Sequence, residues 1–181
     1  MSPYTIVLAD DHMLFRQGVK RIIEENPDYK VIGEAGDGLA LLELLKTCSP
    51  DLVILDISMP LLRGLEAARE LKRTYPKVKI LLLTMHRKKD FLQQGIEAGA
   101  DGFMLKEDAD YGLIQAIKAI RKGEKYFSPL LMAKLADEKY DEYADNYPYH
   151  HYLIIPEKVD SAICWKIYWG IPENLNKLFP S

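Results

Sequence analysis

The chain has 181 residues, of which 48% are hydrophobic and 28% charged, and its formal net charge is −3. This is an ordinary globular composition, and the charge does not indicate a chain that binds nucleic acid or anionic membranes as a whole. The two cysteines, Cys48 and Cys164, form neither a disulfide framework nor a metal-ligand cluster, which fits a reducing cytosol.

The N-terminal segment MSPYTIVLADDH lacks the basic region and long apolar run of a secretory signal. No apolar stretch approaches the roughly 20 residues that a membrane-spanning helix needs. We therefore expect a cytoplasmic protein that does not enter a membrane.

Five short apolar runs, each typical of a buried strand, alternate with longer segments of helical period. The runs are residues 4–10, 31–35, 52–56, 80–84 and 102–106. Strict alternation of five strands with helices predicts a doubly wound α/β fold, in which helices cover both faces of a parallel five-stranded sheet. The functional site of such a sheet lies at the carboxyl ends of its strands, near the point where the strand order reverses.

The helices are predicted from apolar spacing and from breakers. The first has apolar residues at helical spacing, namely Leu14, Val19, Ile22 and Ile23. It ends at the Asn26-Pro27 breaker, and the second opens at Asp37-Gly38. The other three are predicted over residues 64–74, 89–98 and 111–122.

The character of the chain changes near its last predicted helix. We predict one domain over residues 1–124, a linker over 125–137 with a short helix over 129–136, and an atypical extension over 138–181. From residue 137 onward there are nine aromatic residues, eight acidic residues and four lysines, and no arginine follows Arg121. The C-terminal part is therefore acidic and rich in aromatic residues.

Polar residues follow the predicted strands where each one ends. The first strand ends in Asp10-Asp11, the third in Asp56, the fourth in Thr84 and the fifth in Lys106. Converging carboxylates repel one another unless a cation binds them, and a cluster of oxygen ligands suits Mg²⁺. Lys106 adds a compact positive charge, and Thr84 adds a hydroxyl donor. The set fits a phosphoryl group carried on one carboxylate, with the metal and the lysine neutralising its oxygens.

In order and spacing, these residues resemble the receiver domain of bacterial response regulators. The matching features are the Asp10-Asp11 pair, the segment LVILDISMP that contains Asp56, then Gly64, Thr84, and the segment GFMLK that ends at Lys106. The resemblance covers about two-thirds of the chain. The stretch GADGFMLKEDADYGLIQAIKAIRKGEKYFSP is similar to the end of a NarL/LuxR-type receiver. A flavodoxin-like (βα)5 fold is implied.

The resemblance implies that Asp56 accepts a phosphoryl group from a sensor histidine kinase or a small phosphodonor. Asp11 and Asp56 would bind Mg²⁺ directly, Asp10 would act through water, and Ser58 would contribute its backbone carbonyl. The chain would catalyse only its own phosphorylation and dephosphorylation, and would not be an enzyme for external substrates.

The resemblance also implies a switch. Thr84 and Phe103 would be the switch pair, in which the hydroxyl moves to the phosphate and the aromatic ring turns inward, while Lys106 holds a phosphate oxygen. Ser58 and His86, two residues beyond Asp56 and Thr84, would tune dephosphorylation. The driving force would be the added charge of about −1.5 to −2 on the phosphorylated residue.

Two other classes of function stay open. One is a transcriptional regulator with a truncated or unrecognised helix-turn-helix domain. An acidic tail without arginine argues against it, because DNA-binding faces need lysine and arginine. The other is a metal-dependent phosphohydrolase. Such enzymes often have a second acidic residue two positions after the nucleophilic aspartate, where this chain has Ser58.

The role of the C-terminal extension also has open alternatives. It can be an interaction module that uses its aromatic residues, a partly ordered extension, or the remnant of an effector domain whose reading frame was lost. We expect the receiver to form a homodimer or bind a partner. The surface would lie either near the fourth and fifth helices or near the first and fifth.

Overall fold

The computed structural model describes residues 2–86 and 88–132. The predicted extension over residues 138–181 lies outside the described residues. The strands are β1 (Tyr4–Ala9), β2 (Tyr29–Ala35), β3 (Leu52–Asp56), β4 (Lys79–Thr84), β5 (Gly102–Leu105) and β6 (Tyr126–Phe127). The helices that alternate with them are α1 (Met13–Glu24), α2 (Gly38–Leu44), α3 (Gly64–Thr74), α4 (Lys89–Glu97) and α5 (Ala109–Arg121).

The sheet is parallel throughout, with the strand order β2-β1-β3-β4-β5-β6. The order reverses between β1 and β3, so the carboxyl ends of these two strands lie side by side at the switch point. The predicted doubly wound α/β fold is confirmed. The strand ends at this switch point are the ones that carry the predicted acidic residues.

The sheet has one strand more than the five predicted. Tyr126 pairs with Gly102 and Phe127 pairs with Phe103, which places β6 within the predicted linker. Two residues are too few to produce an alternating pattern that a sequence can reveal. The end of the domain at residue 124 stays a prediction, although the sheet continues past it. Residues 129–132 of the predicted linker helix are helical, and its other residues lie outside the described part of the chain.

Both faces of the sheet are buried, as the continuous apolar runs predict. On one face, Ile6, Leu8 and Ile54 form a cluster with apolar residues of α1 and α5. On the other face, Phe103 lies against Gly95 of α4, where an added Cβ would come within 2.6 Å of the ring. Each fully buried Leu, Ile or Phe side chain contributes about 1.5–3 kcal/mol. This core fixes the strand ends in space.

The predicted first helix is present, but one of its apolar residues does not reach the core. Leu14 is 87% exposed, while Val19 and Ile23 of the same helix are buried. A separation of five residues turns the helix by about 140° relative to Val19. Phe15, four residues before Val19, packs against the core instead.

The starts of α2 and α5 can be explained by the residues that precede them. The Asp37 side chain accepts a hydrogen bond of 2.8 Å from the Ala40 backbone N–H, as expected of the N-cap of α2. After β5, a short 3-10 turn over Lys106–Asp108 leads directly into α5, which therefore begins two residues earlier than predicted. None of the helices among the described residues is long and apolar enough to cross a membrane.

Candidate functional site

The predicted polar residues converge at the carboxyl edge of the sheet. Asp10 follows β1, Asp56 ends β3, Thr84 ends β4, and Lys106 follows β5. Their exposed fractions are 4%, 2%, 0% and 7% in that order. Charged groups are rarely buried to this extent unless they are paired, so the cluster needs partners within the protein.

Lys106 provides such a partner for two carboxylates. Its Nζ lies 2.8 Å from Asp56 Oδ2, to which it donates a hydrogen bond, and 2.7 Å from Asp10 Oδ2. The second contact is an ion pair without hydrogen-bond geometry, and Asp10 Oδ2 accepts no hydrogen bond from the described residues. The ammonium also lies 4.9 Å from the centre of the Phe15 ring, a favourable cation–π position.

The carboxylates form a group that can hold a cation. Asp10, Asp11, His12 and Asp56 each offer a ligand atom, and these atoms lie within 4.8 Å of one another. Three carboxylates and one ammonium leave a charge of −2, which a divalent ion would balance. Asp10 Oδ2 accepts no hydrogen bond from the described residues, so beside its ion pair with Lys106 it keeps acceptor capacity for an ion or its bound water. The residues present therefore fit a divalent cation with oxygen ligands.

His12 borders this group on its solvent side. Its Nδ1 lies 2.9 Å from Asp11 Oδ1, and its backbone N–H donates a hydrogen bond of 2.8 Å to Asp10 Oδ1. The backbone contact fixes one oxygen of Asp10 and leaves the other directed at Lys106. Asp10 is thus held by two different elements, the start of α1 and the end of β5.

Gly64 packs directly against the backbone of Asp56. A Cβ at Gly64 would lie 1.9 Å from the carbonyl oxygen of Asp56, a distance no side chain can adopt. The Gly64 N–H donates a hydrogen bond of 2.9 Å to the Ile57 carbonyl, which closes the intervening loop. Only glycine allows α3 to begin this close to the end of β3.

The loops that follow β3 and β4 contact each other. Ser58 Oγ and His86 Nε2 lie 2.9 Å apart, at hydrogen-bond distance. The His86 backbone N–H donates to Thr84 Oγ1 at 2.8 Å, and its ring stacks on Phe91 with the centroids 4.5 Å apart. Ser58 and His86 are the predicted tuning pair, and their direct contact was not predicted.

Phe103 is the aromatic member of the predicted switch pair. It is 1% exposed and lies on β5, beside β4, which ends in Thr84. The ring occupies the space that a side chain at Gly95 would fill. Thr84 and Phe103 therefore lie on neighbouring strands, as a switch pair requires.

The sequence analysis missed a buried charge cluster around Asp101, which is 6% exposed. Its carboxylate accepts hydrogen bonds from Lys72 Nζ at 2.7 Å, Lys79 Nζ at 3.2 Å and the Ile80 N–H at 3.0 Å. Burial alone raises the pKa of Asp101. The hydrogen bond from Lys72 and the charges of Lys72 and Lys125 lower it and outweigh the effect of burial, so the net pKa lies below its usual value.

This cluster is separate from the predicted site. Asp101 precedes β5 and contacts the first residues of β4, so it lies at the opposite edge of the sheet. Its partners are far apart in sequence and have no common motif, so a single sequence gives no signal for them. Its contacts join strands and helix, which indicates a role in stability.

Comparison with known proteins places the chain in a family. A family model described as the response regulator receiver domain matches residues 6–118. The transcriptional regulatory protein DegU of Brevibacillus brevis is 41% identical over 134 residues, which cover 74% of this chain and 56% of DegU. The chain thus matches just over half the length of that relative.

Solved structures of response regulators are also similar to this chain. The two-component response regulator of the LuxR family from Aurantimonas sp. SI85-9A1 is 36% identical, with a TM-score of 0.70, and the match covers 77% of this chain and 99% of that one. The isolated receiver domain of RcsB from Salmonella enterica serovar Typhimurium, in the presence of phosphomimetic BeF3−, is 28% identical, with a TM-score of 0.69, covering 74% and 99%.

The predicted resemblance to NarL/LuxR-type receivers is therefore confirmed. The matched stretch contains all four strand ends at which Asp10, Asp56, Thr84 and Lys106 converge. Sequence, fold and the buried charged cluster lead to the same conclusion, that the chain belongs to the response regulator receiver family.

Proposed function

We propose that the chain is a two-component response regulator that accepts a phosphoryl group on Asp56 from a sensor histidine kinase, in a reaction that needs Mg²⁺. The observation that carries the proposal is the contact of Lys106 Nζ with Asp56 Oδ2 inside a buried acidic cluster. An aspartate that is held beside an ammonium can accept an anionic group, because the positive charge is already in place.

The metal roles follow from the same cluster. Asp11 and Asp56 would bind Mg²⁺ directly, Ser58 would add its backbone carbonyl, and Asp10 would act through a bound water. Mg²⁺, when bound, would offset the charge of the carboxylates and of the incoming phosphoryl group. Asp10 Oδ2 accepts no hydrogen bond from the described residues, and this acceptor capacity supports the water-mediated role.

The switch is proposed to use Thr84, Lys106 and Phe103. A hydroxyl has one donor and two acceptor sites, so the hydrogen bond that Thr84 Oγ1 accepts from His86 leaves its proton available for a phosphate oxygen. Lys106 would retain an anionic partner throughout. Movement of Thr84 toward the phosphate would change the space available to Phe103 on the next strand.

Ser58 and His86 are proposed to tune the lifetime of the phosphorylated state. Their side chains meet between the two loops that follow Asp56 and Thr84. A polar bridge at this place controls how water approaches the phosphoryl group. The chain would have no other catalytic activity, and as a signalling protein it would act in the cytoplasm.

The output of the chain is proposed from its relatives. The relative DegU is named a transcriptional regulatory protein, and this supports transcription control as the alternative output. The division into a receiver over 1–124, a linker over 125–137 and an extension over 138–181 stays part of the proposal. Phosphorylation would switch homodimerisation or the binding of a partner.

The decisive test is a mass spectrum of the full chain after incubation with acetyl phosphate and Mg²⁺. We expect a gain of one phosphoryl group, which is absent in Asp56→Asn and when Mg²⁺ is omitted. Asp37→Asn is the matched control, since asparagine also caps a helix and Asp37, the N-cap of α2, is not a member of the acidic cluster. Phosphorylation of Asp56→Asn, or none of the wild type, would contradict the proposal.

The DNA-binding alternative has its own test. The full chain, with and without acetyl phosphate, is titrated with a mixed-sequence duplex at low and moderate salt. A DNA-binding output predicts an affinity that falls steeply as salt increases, because counterions are released from the phosphates. Affinity that is absent at low salt would exclude it.

A further inference from the structure

The segment after α5 is attached to the strand that carries Phe103. The Tyr126 N–H donates a hydrogen bond of 3.1 Å to the Asp101 carbonyl, and the Ser128 N–H donates one of 3.0 Å to the Phe103 carbonyl. Lys125 Nζ donates to the Ala100 carbonyl at 2.7 Å. The segment thus follows β5 from its first residue to the backbone of Phe103.

Ser128 has a second role in the same place. Its side chain is fully buried, and its Oγ accepts a hydrogen bond of 3.2 Å from the Leu131 N–H. Its carbonyl accepts the Met132 N–H at 3.1 Å. These are the contacts of an N-cap, and Pro129 stands at the first helical position, where proline is favoured.

Leu131 fixes the start of this helix to the receiver. It is 1% exposed and belongs to the buried core. The helical residues 129–132 therefore do not begin as a free extension. One residue, Ser128, both completes the pairing with β5 and caps the helix that leads into the rest of the chain.

We propose that Ser128 is a coupling residue through which a rearrangement of Phe103 changes the stability of the helix that begins at Pro129. The proposal rests on the proposed phosphorylation of Asp56. When Thr84 and Lys106 engage a phosphoryl group, β4 and β5 become more tightly held at their carboxyl ends. The Phe103 carbonyl is then held more rigidly, so its hydrogen bond from the Ser128 N–H breaks less often. The first turn of the helix that Ser128 caps therefore unfolds less often.

The route is short. A movement of Phe103 that shifts its backbone carbonyl reaches the Ser128 N–H through one hydrogen bond, and the Ser128 hydroxyl oxygen reaches the Leu131 N–H through one more. Both bonds are buried, so water does not readily replace either partner when the geometry changes. The effect of phosphorylation would then reach the segment after β6 through β6 itself, as well as through any binding surface formed by the helices of the receiver.

The first arm of the test measures amide hydrogen exchange by NMR on the full chain, with and without beryllofluoride and Mg²⁺. We expect exchange at the Ser128, Leu131 and Met132 amides to slow by at least about fivefold, the low end of usual coupling energies. The control amides are Asp51 and Lys79, which are bonded to the Thr5 and Asp51 carbonyls at the opposite edge of the sheet.

The second arm needs no phosphoryl group. Phe103→Leu is expected to speed exchange at Ser128 and Leu131 at least about fivefold more than at Asp51 and Lys79. Leu41→Val is the matched control, because Leu41 is fully buried on α2, which packs on β2 and α3, and β2 is at the other end of the sheet from β6. It should change both sets of amides equally.

The outcomes separate the coupling from the proposed function. If beryllofluoride binds at Asp56 and the amides of residues 128, 131 and 132 do not respond, the coupling is wrong and the phosphoacceptor role stands. If Asp56 binds nothing, the proposed function is wrong, and the coupling as an output of phosphorylation is overturned with it. If Phe103→Leu affects both sets of amides equally, Phe103 and Ser128 are not linked.

Discussion

Ser58 Oγ and His86 Nε2 lie 2.9 Å apart and join the loop after β3 to the loop after β4. The ring of Phe91 stacks nearly parallel on one face of the imidazole, at an interplanar angle of 13°. His86 is thus held by a hydroxyl at one ring nitrogen and by an aromatic ring on one face. Both loops carry residues of the proposed phosphorylation site.

Opening this bridge should shorten the life of the phosphorylated state. Ser58→Ala removes the hydroxyl and gives water easier access to Asp56. We expect dephosphorylation to be faster by roughly twofold to tenfold, the equivalent of one hydrogen bond of about 0.5–1.5 kcal/mol. The decay of phosphorylated protein is followed by mass spectrometry. Thr47→Ala, which removes an exposed hydroxyl three residues after the end of α2, should leave the rate unchanged. An unchanged rate in Ser58→Ala as well would refute the role.

Removing the buried ammonium should make stability depend on the metal. Lys106→Met leaves Asp10 and Asp56 buried without their cation. The loss of one partner from a buried ion pair costs about 3–5 kcal/mol. We expect a loss of that order in urea unfolding with a chelator present, and a larger gain from added Mg²⁺ than the wild type shows. Equal responses to Mg²⁺ in the two proteins would contradict the proposed metal site.

Gly64 should not tolerate any side chain. Gly64→Ala places a Cβ against the backbone of Asp56, and we expect a loss of about 3 kcal/mol or more, together with loss of phosphorylation. Gly18→Ala is the matched control, because nothing lies within 4 Å of a Cβ there and alanine favours helix α1 by roughly 0.5–1 kcal/mol. Thermal unfolding compares the two, and a mild effect at Gly64 would show that the loop can move away.

The Asp101 cluster should give the protein a defined acid sensitivity. Because its pKa is lower in the folded state than its ordinary value of about 3.8, the stabilisation is complete above that value and is lost as the pH falls below it. Asp101→Asn should cost about 1.5–3 kcal/mol at neutral pH, the worth of hydrogen bonds to a charged group. In urea unfolding from pH 7 to pH 3, the free energy of unfolding should fall less steeply with decreasing pH in the variant than in the wild type. An equal fall in the two proteins would mean that other carboxylates dominate the acid sensitivity.

The sequence predicted the main architecture because its buried strands are continuous apolar runs. The bounds of β3 and α3 agree with the prediction residue for residue. The strand-end residues could be predicted as one site because parallel strands bring their carboxyl ends together. Their proposed roles in phosphorylation stay predictions.

Other features depend on tertiary structure and have no local signal. β6 has two residues, and it is a strand only because β5 offers an unpaired edge. The Ser58–His86 bridge joins residues 28 positions apart, and the Asp101 cluster joins lysines from three separate segments. The exposure of Leu14 could not be predicted either, because apolar residues that share a helix need not share a face.

The burial of Lys106 has a consequence for the energy of the proposed cycle. An ammonium that entered the pocket only after phosphorylation would have to lose its hydration shell in every round of signalling. Lys106 is already dehydrated in the resting protein, with 7% of its surface exposed. That cost arises once, when the chain folds, and afterwards the ammonium exchanges one anionic oxygen for another. More of the free energy of the phosphoryl group is then left to move the strands.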